Sequence, residues 1–364
     1  MTSRLRWTWI GPILLYFASG LEVLIMVSPF AAYFYTVYAP VLNSLLAFSA
    51  TAWLPQFFLP HLTRSDHLLF RGLEYLGPPL AGLGVIGFLV CAAQLYYGKF
   101  VRKALVTSGL YGRVRHPQYL CLAVGGLGFL LMWPRFFILL TYLLMLGLYY
   151  LLARHEEETV LRKYGKESTR YMARIAMFNP FRAPRAGNSW QPPARGRALT
   201  MWIGLVIVGM GAAFLLRAQG EASLYTARLS AAPGVAIAFV KRPVERITAM
   251  ADAVMATPEI KARMASQAGE VYLLQIATGK QEVEHLLTDL GMKAGAVQAI
   301  PFFDEDEYAV VSRLTGGESP VDLFALDTRI EPLMLVRPDG SPDGLEVRTF
   351  LPEQFYVDFP RVMF

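Results

Sequence analysis

The chain has 364 residues, of which 54% are hydrophobic and only 17% charged, and its mean hydropathy is +0.38. A soluble domain carries about 25% charged residues, so this composition favours a membrane protein over an ordinary water-soluble one. The net charge of +6 is unevenly divided: residues 217–364 hold 14 basic and 21 acidic residues, leaving 20 basic and 7 acidic for residues 1–216. The first part therefore suits anionic lipid headgroups and the second open solvent.

A helix needs roughly 20 apolar residues to cross about 30 Å of hydrocarbon. In chain order, Trp9–Val27 and Val37–Phe58 are candidates. A polar loop with Arg64, Asp66 and Arg71 precedes a third, Leu76–Tyr97. Tyr119–Trp133 and Phe136–Leu152, joined by Trp133-Pro134-Arg135, read as a helical hairpin. Met201–Leu216 follows a linker rich in Pro, Gly and Arg, Phe181–Arg197. No small-residue cleavage site follows the opening run, which reads as a span and not as a removed signal peptide.

Basic residues near span ends stay cytosolic. The clusters Lys99–Arg115 and Arg154–Arg197 are expected on that side together, because the hairpin between them crosses and returns. Met201–Leu216 then carries residues 217–364 to the other side. The same count puts the N-terminus outside, against which Arg4 and Arg6 weigh.

Beyond Ala222 short Val- and Ile-rich runs alternate with amphipathic segments. Val235–Val240, Val271–Ile276, Ala309–Ser312 and Pro332–Val336 read as strands, and Arg246–Ala268 and Glu282–Leu290 as helices. Pro338–Gly344 is dense in turn residues and reads as a strand connection, and Asp304–Glu307 as a solvated loop. The expected fold is thus a multi-span α-helical membrane bundle of about five to six transmembrane helices over residues 1–180. A linker at 181–198, a last span at 199–216 and a soluble C-terminal α/β or α+β domain at 217–364 follow. That domain has no cysteine and a single histidine, His285, so it offers neither a Cys/His metal cluster nor a thiol pair. Cys91 and Cys121 lie in apolar runs and suggest no disulfide framework. A nucleic-acid partner is not expected, and the partner of the C-terminal domain is not legible.

Two stretches carry chemistry. The first, Leu105 to Leu120, is a basic loop with Gly109 leading into Arg115-His116-Pro117 and an apolar helix. Charged groups at membrane depth usually face a cavity or pathway. Pro117 suits the first helical turn, and Gly109 permits close backbone approach to a ligand. The second follows the hairpin: Arg154-His155-Glu156-Glu157-Glu158, continuing through Tyr164-Gly165 to Tyr171. On spacing alone, three successive carboxylates are more often a solvated helix face, a lone His116 a helix-end or headgroup contact, and Tyr111 and Tyr119 interfacial anchors.

Together the two stretches resemble the isoprenylcysteine carboxyl methyltransferase and phospholipid methyltransferase superfamily. Leu105-Val106-Thr107-Ser108-Gly109-Leu110-Tyr111 and Arg115-His116-Pro117-Gln118-Tyr119 match its LVTSGxY and RHPxY signature. Glu156-Glu157, Val160 and Tyr164-Gly165 match its EExxLxxxFG element, and Tyr171 a later tyrosine. The resemblance covers about residues 75–180. It implies an S-adenosylmethionine-dependent methyltransferase whose helix bundle is closed at its cytosolic end by the segment after the hairpin. It also implies that Lys103, Ala104, Leu105 and Val106 line the cofactor, that Tyr111, His116, Pro117, Gln118 and Tyr119 contact it, and that Glu156, with Glu157 beside it, holds it. A sulfonium cation, a zwitterionic tail and an adenine ring call for such a carboxylate, imidazole and aromatic set. The isoprenylcysteine branch places a substrate-binding arginine where this chain has Leu152. Arg154 is a candidate substrate contact, but two residues along a helix is about 200° away. The expected acceptor is accordingly a lipophilic small molecule or lipid, such as an amine-bearing one, drawn from the bilayer. The reading from another class is a non-catalytic membrane receptor or scaffold with a ligand-binding C-terminal domain.

Overall fold

The structure, a computed structural model, describes residues 39–60, 68–98, 105–182, 195–238, 241–267, 269–303, 306–315, 329–338 and 344–356, and isolated positions such as 101. The described chain forms two compact units. One contains Leu73–Trp133 and Ile138–Gly211, and the other contains Pro134–Phe137, Ala212–Phe364 and the residues between Phe30 and Gly72. The expected span Trp9–Val27 lies outside the described residues.

The helices are α1 (Ala39–Leu46), α2 (Leu68–Tyr97), α3 (Pro117–Met132), α4 (Phe136–Tyr164), α5 (Lys166–Arg174) and α6 (Arg195–Ala222). Of these α2, α4 and α6 are long and apolar enough to cross a membrane. At 16 residues, α3 covers about 24 Å, short of the full hydrocarbon layer. The hairpin is present as expected, with the break at Trp133-Pro134-Arg135.

Val37–Phe58 departs from expectation. Among its described residues only α1 is helical, and residues 47–58 form a packed loop that buries Ala52, Leu54, Phe57 and Phe58. Its backbone is satisfied by the hairpin tip: Phe58 N–H donates to the Pro134 carbonyl (2.8 Å), Phe136 N–H to that of Gln56 (3.0 Å) and Phe137 N–H to that of Leu54 (2.8 Å). Pro55 has no N–H to give a helix, and the run's apolar residues serve packing in place of a span.

Within the first unit α2 and α3 pack through small residues. A Cβ added to Gly84 would lie 2.2 Å from the Gly125 Cα, and one added to Gly128 would lie 2.2 Å from the Ala81 N. Membrane helices associate through such close backbone approach because lipid removes any hydrophobic drive between them. On α6, Trp202 donates its indole N–H to the Leu143 carbonyl of α4 at 2.9 Å.

The second unit is built on a six-stranded sheet in the order β1 (Tyr225–Arg228), β2 (Gly234–Ala238), β3 (Val271–Thr278), β4 (Glu307–Thr315), β5 (Arg329–Pro338) and β6 (Leu345–Thr349). Only β2 and β3 run parallel, and their crossover holds α7 (Val244–Met255) and α8 (Pro258–Ser266). Pro258 explains why Arg246–Ala268 is two helices: it starts α8 and keeps Thr257 extended. After β3 come α9 (Gly279–Asp289) and α10 (Ala294–Gln298).

The two helix pairs cover opposite faces. Leu273, Ala277 and Val310 pack with Val283, Leu286 and Val297, whereas Leu274, Ile276 and Val311 pack with Ile247, Val254 and Ile260. Burial on both faces is why β3 reads as a nearly continuous apolar run. Pro338 pairs with Leu345, so the turn-rich stretch joins two strands as expected. Glu307, expected in a loop, is the first residue of β4 and pairs with Thr278.

The α2–α3 seam is testable. Gly84→Val is expected to destabilise the detergent-solubilised protein by roughly 1–3 kcal/mol or more, whereas Gly204→Ala on α6, where nothing lies within 4 Å, leaves the thermal midpoint unchanged. Equal midpoints for the two variants would contradict the packing described.

Candidate functional site

The loop between α2 and α3 is shaped by Gly109. Its φ of +63° is left-handed, and a Cβ there would lie 2.1 Å from the Gln94 amide. Gln94 in turn donates to the Ser108 carbonyl at 2.8 Å. A 3-10 turn, Gly109–Gly112, then buries Tyr111. Val106 packs on Gly98 and Leu105 is half-buried, while Lys103 and Ala104 lie outside the described residues.

The segment after the hairpin folds back on this loop. Gly165, at φ +55°, turns the chain into α5, and the Tyr171 hydroxyl donates to the Tyr111 carbonyl at 2.7 Å. Burial pushes the Tyr111 and Tyr171 phenols above the ordinary tyrosine range, so both remain protonated donors. Arg115 N–H donates to the Ala176 carbonyl (2.9 Å) and His116 N–H to that of Met177 (3.3 Å), in a parallel bridge between Val114 and Ala176. Residues 175–178 thus form a strap along the RHP element.

At the start of α3, Pro117 occupies the first turn, where its missing N–H costs nothing. That geometry aims His116, Gln118 and Tyr119 at the far end of α4. Tyr119 donates its hydroxyl to Glu156 Oε1 at 2.6 Å, and Gln118 Nε2 reaches Glu156 Oε2 at 3.5 Å. The His116 imidazole lies between two carboxylates, with Nδ1 3.4 Å from Glu156 Oε2 and Nε2 3.3 Å from Glu157 Oε1. Arg115 closes the set, its guanidinium 2.7 Å from Glu157 Oε1. Arg154 lies 3.9 Å from the other oxygen.

Of the expected residues, His116, Pro117, Gln118, Tyr119, Arg154, Glu156 and Glu157 come together. Tyr111 is held to them through Tyr171 and the strap. Sequence reasoning missed Arg115 as a buried ion-pair partner, and it missed Tyr149 and Phe178. The Tyr149 ring stacks on Tyr119 with centroids 5.1 Å apart, and Phe178 lies 6.0 Å from His116. Tyr149 precedes Glu156 by two helical turns, a spacing that puts both on one face; for Phe178 no comparable signal exists. Leu152 is buried in the cluster with Tyr119, Met145 and Tyr149, so an apolar side chain fills the position of the isoprenylcysteine branch's arginine.

The donor set suits a zwitterionic nucleoside-type cofactor. The carboxamide oxygen of Gln118 is buried and finds no hydrogen-bond partner among the described residues, beside a partly exposed carboxylate. Buried polar atoms are ordinarily paired, so this acceptor fits an ammonium or hydroxyl donor from a ligand.

The electrostatics give a pH dependence. Burial lowers the His116 pKa, but hydrogen bonding to Glu156 and Glu157 more than reverses this and leaves it raised above 6.5. A group whose pKa rises on folding stabilises fully below its unfolded value and stops doing so as pH climbs through the folded one. The thermal midpoint in detergent is therefore expected to fall as pH rises above 6.5 toward the raised value, and His116→Gln to remove that alkaline decline. A decline of the same size in the variant would assign it elsewhere.

Residues 87–167 match the family model described as phospholipid methyltransferase. No curated protein and no solved structure matches the chain. The matched stretch runs from the end of α2 through α3 and α4 to the start of α5, and so contains the loop, the RHP element and both carboxylates. Over residues 87–167, then, the sequence is that of a phospholipid methyltransferase domain, a family of enzymes that use S-adenosylmethionine.

Proposed function

We propose that the chain is an integral membrane methyltransferase that moves a methyl group from S-adenosylmethionine to a lipophilic acceptor at the cytosolic membrane face. The observation that carries this reading is the meeting of His116 and Tyr119 with Glu156 across 37 residues or more of sequence. When bound, the cofactor supplies a methyl group on a sulfonium, open to in-line displacement. Glu156 holds the cofactor's ammonium or ribose hydroxyls, with Tyr119 and His116 fixing the carboxylate. The Gln118 carboxamide oxygen accepts a further donor, and Lys103–Val106 line the remainder. Positioning in a dry pocket supplies the acceleration, and no nucleophilic residue is required.

For the acceptor, the residues packed on Tyr119 support one reading. Leu152 and Tyr149 form an apolar and aromatic wall, without the cation a carboxylate acceptor would need at position 152, and aromatic faces attract organic cations. An amine-bearing lipid drawn laterally from the bilayer fits this wall. Spans α2, α4 and α6, the shorter α3 and the expected Trp9–Val27 give the membrane part of the bundle. The basic clusters at both ends of the hairpin support a cytosolic site, and in this reading α6 carries the sheet domain across.

Labelled S-adenosylmethionine is expected to bind the purified protein, and Glu156→Ala or His116→Ala to weaken binding about 10- to 100-fold, the worth of one charge-assisted hydrogen bond. Unchanged affinity in both variants would reject the site assignment. A reporter fused after Phe364 is expected to be active only outside the cytosol; activity inside would overturn the final crossing.

A further inference from the structure

Glu156 and Glu157 are neighbours in sequence but live in different surroundings. Successive helical residues point about 100° apart. The Glu156 side chain is 32% exposed, whereas that of Glu157 is 2% exposed. Glu157 Oε1 lies 2.7 Å from Arg115 Nη1 and 3.3 Å from His116 Nε2, while Oε2, buried and without a hydrogen bond among the described residues, lies 3.9 Å from Arg154 Nη1. A carboxylate this deep persists only because cations surround it. Two of those partners, Arg115 and His116, are also the residues whose backbone N–H groups hold Ala176 and Met177.

We propose that Glu157 is a positioning residue, acting through His116 and Arg115 without touching the cofactor. This rests on the methyltransferase reading of Glu156 and His116. With Nε2 anchored on Glu157, the imidazole presents Nδ1 to Glu156 and lays its face toward Tyr119, whose ring is 5.9 Å away. One buried carboxylate thereby sets the orientation of the imidazole and the seat of the strap. The groups that face the imidazole are Glu156 and Glu157 from α4, Tyr119 from α3 and Phe178 from the strap, with Arg115 and Arg154 behind Glu157.

The test is equilibrium binding of S-adenosylmethionine to the full-length protein in detergent across pH, with Glu157→Gln made in the wild-type and His116→Gln backgrounds. Glu157→Gln is expected to raise the dissociation constant about tenfold at neutral pH and to move the alkaline limb of the profile, set by loss of the His116 proton, to lower pH. In the His116→Gln background the same change is expected to cost less than about twofold, since residues acting as a unit are not additive. An undiminished loss in that background would mean that Glu157 meets the cofactor directly. A loss equal at every pH with the limb unmoved would mean a merely structural role, and either result overturns the proposal. If Glu157→Gln does not fold, Glu157→Asp keeps the charge and withdraws it by one methylene. It is expected to weaken binding several-fold only where His116 is present, and equal weakening in both backgrounds overturns the proposal. Absence of binding to the wild-type protein would instead sink the methyltransferase reading itself.

Discussion

Charge at the end of an apolar helix hairpin is costly to desolvate, and here the compensation comes from a segment far away in sequence. The carboxylates at the end of α4 meet the guanidinium of Arg115 and the imidazole of His116, delivered by the loop that precedes α3. Removing one partner from such a buried set leaves a naked charge, at a cost of roughly 3–5 kcal/mol. The meeting is therefore a constraint on the fold as well as a feature of the site. The glycine at 109, the proline at 117 and the turn at Gly165 are each placed so that the loop, the helix start and the returning strap reach one point.

The same constraint explains which parts of the molecule were legible in the sequence. Helix α2 and the hairpin announced themselves by length and apolarity, because lipid admits only segments that satisfy their own backbone. The grouping of His116, Tyr119 and Glu156 was legible because their types and order resemble those of a known superfamily. Arg115 was hidden: an arginine beside a membrane reads as a headgroup contact, and only the fold reveals that it is buried against Glu157. Tyr149 was visible in principle, two turns before Glu156, but a tyrosine inside an apolar run carries no distinct mark.

The failures have physical causes of the same kind. Val37–Phe58 has a span's composition but becomes a loop, since hydropathy counts apolar residues without asking where Pro55 leaves the backbone. In the sheet domain, β3 and β4 stood out because both of their faces are buried, but β1 and β6 sit at the edges. There the residues alternate with Arg228, Glu346 and Arg348 and resemble loop sequence. Arg246–Ala268 kept its helical period through Pro258, and the pattern alone did not separate one helix from two.

The glycine seam between α2 and α3 bears on traffic through the membrane. Where Gly84 meets Gly125 and Ala81 meets Gly128, backbone touches backbone, and that side of the bundle is a closed wall with no width for an acyl chain. Under the proposed function, a lipophilic acceptor enters through some other gap between helices, and the direction from which it arrives is decided by residues that never touch it.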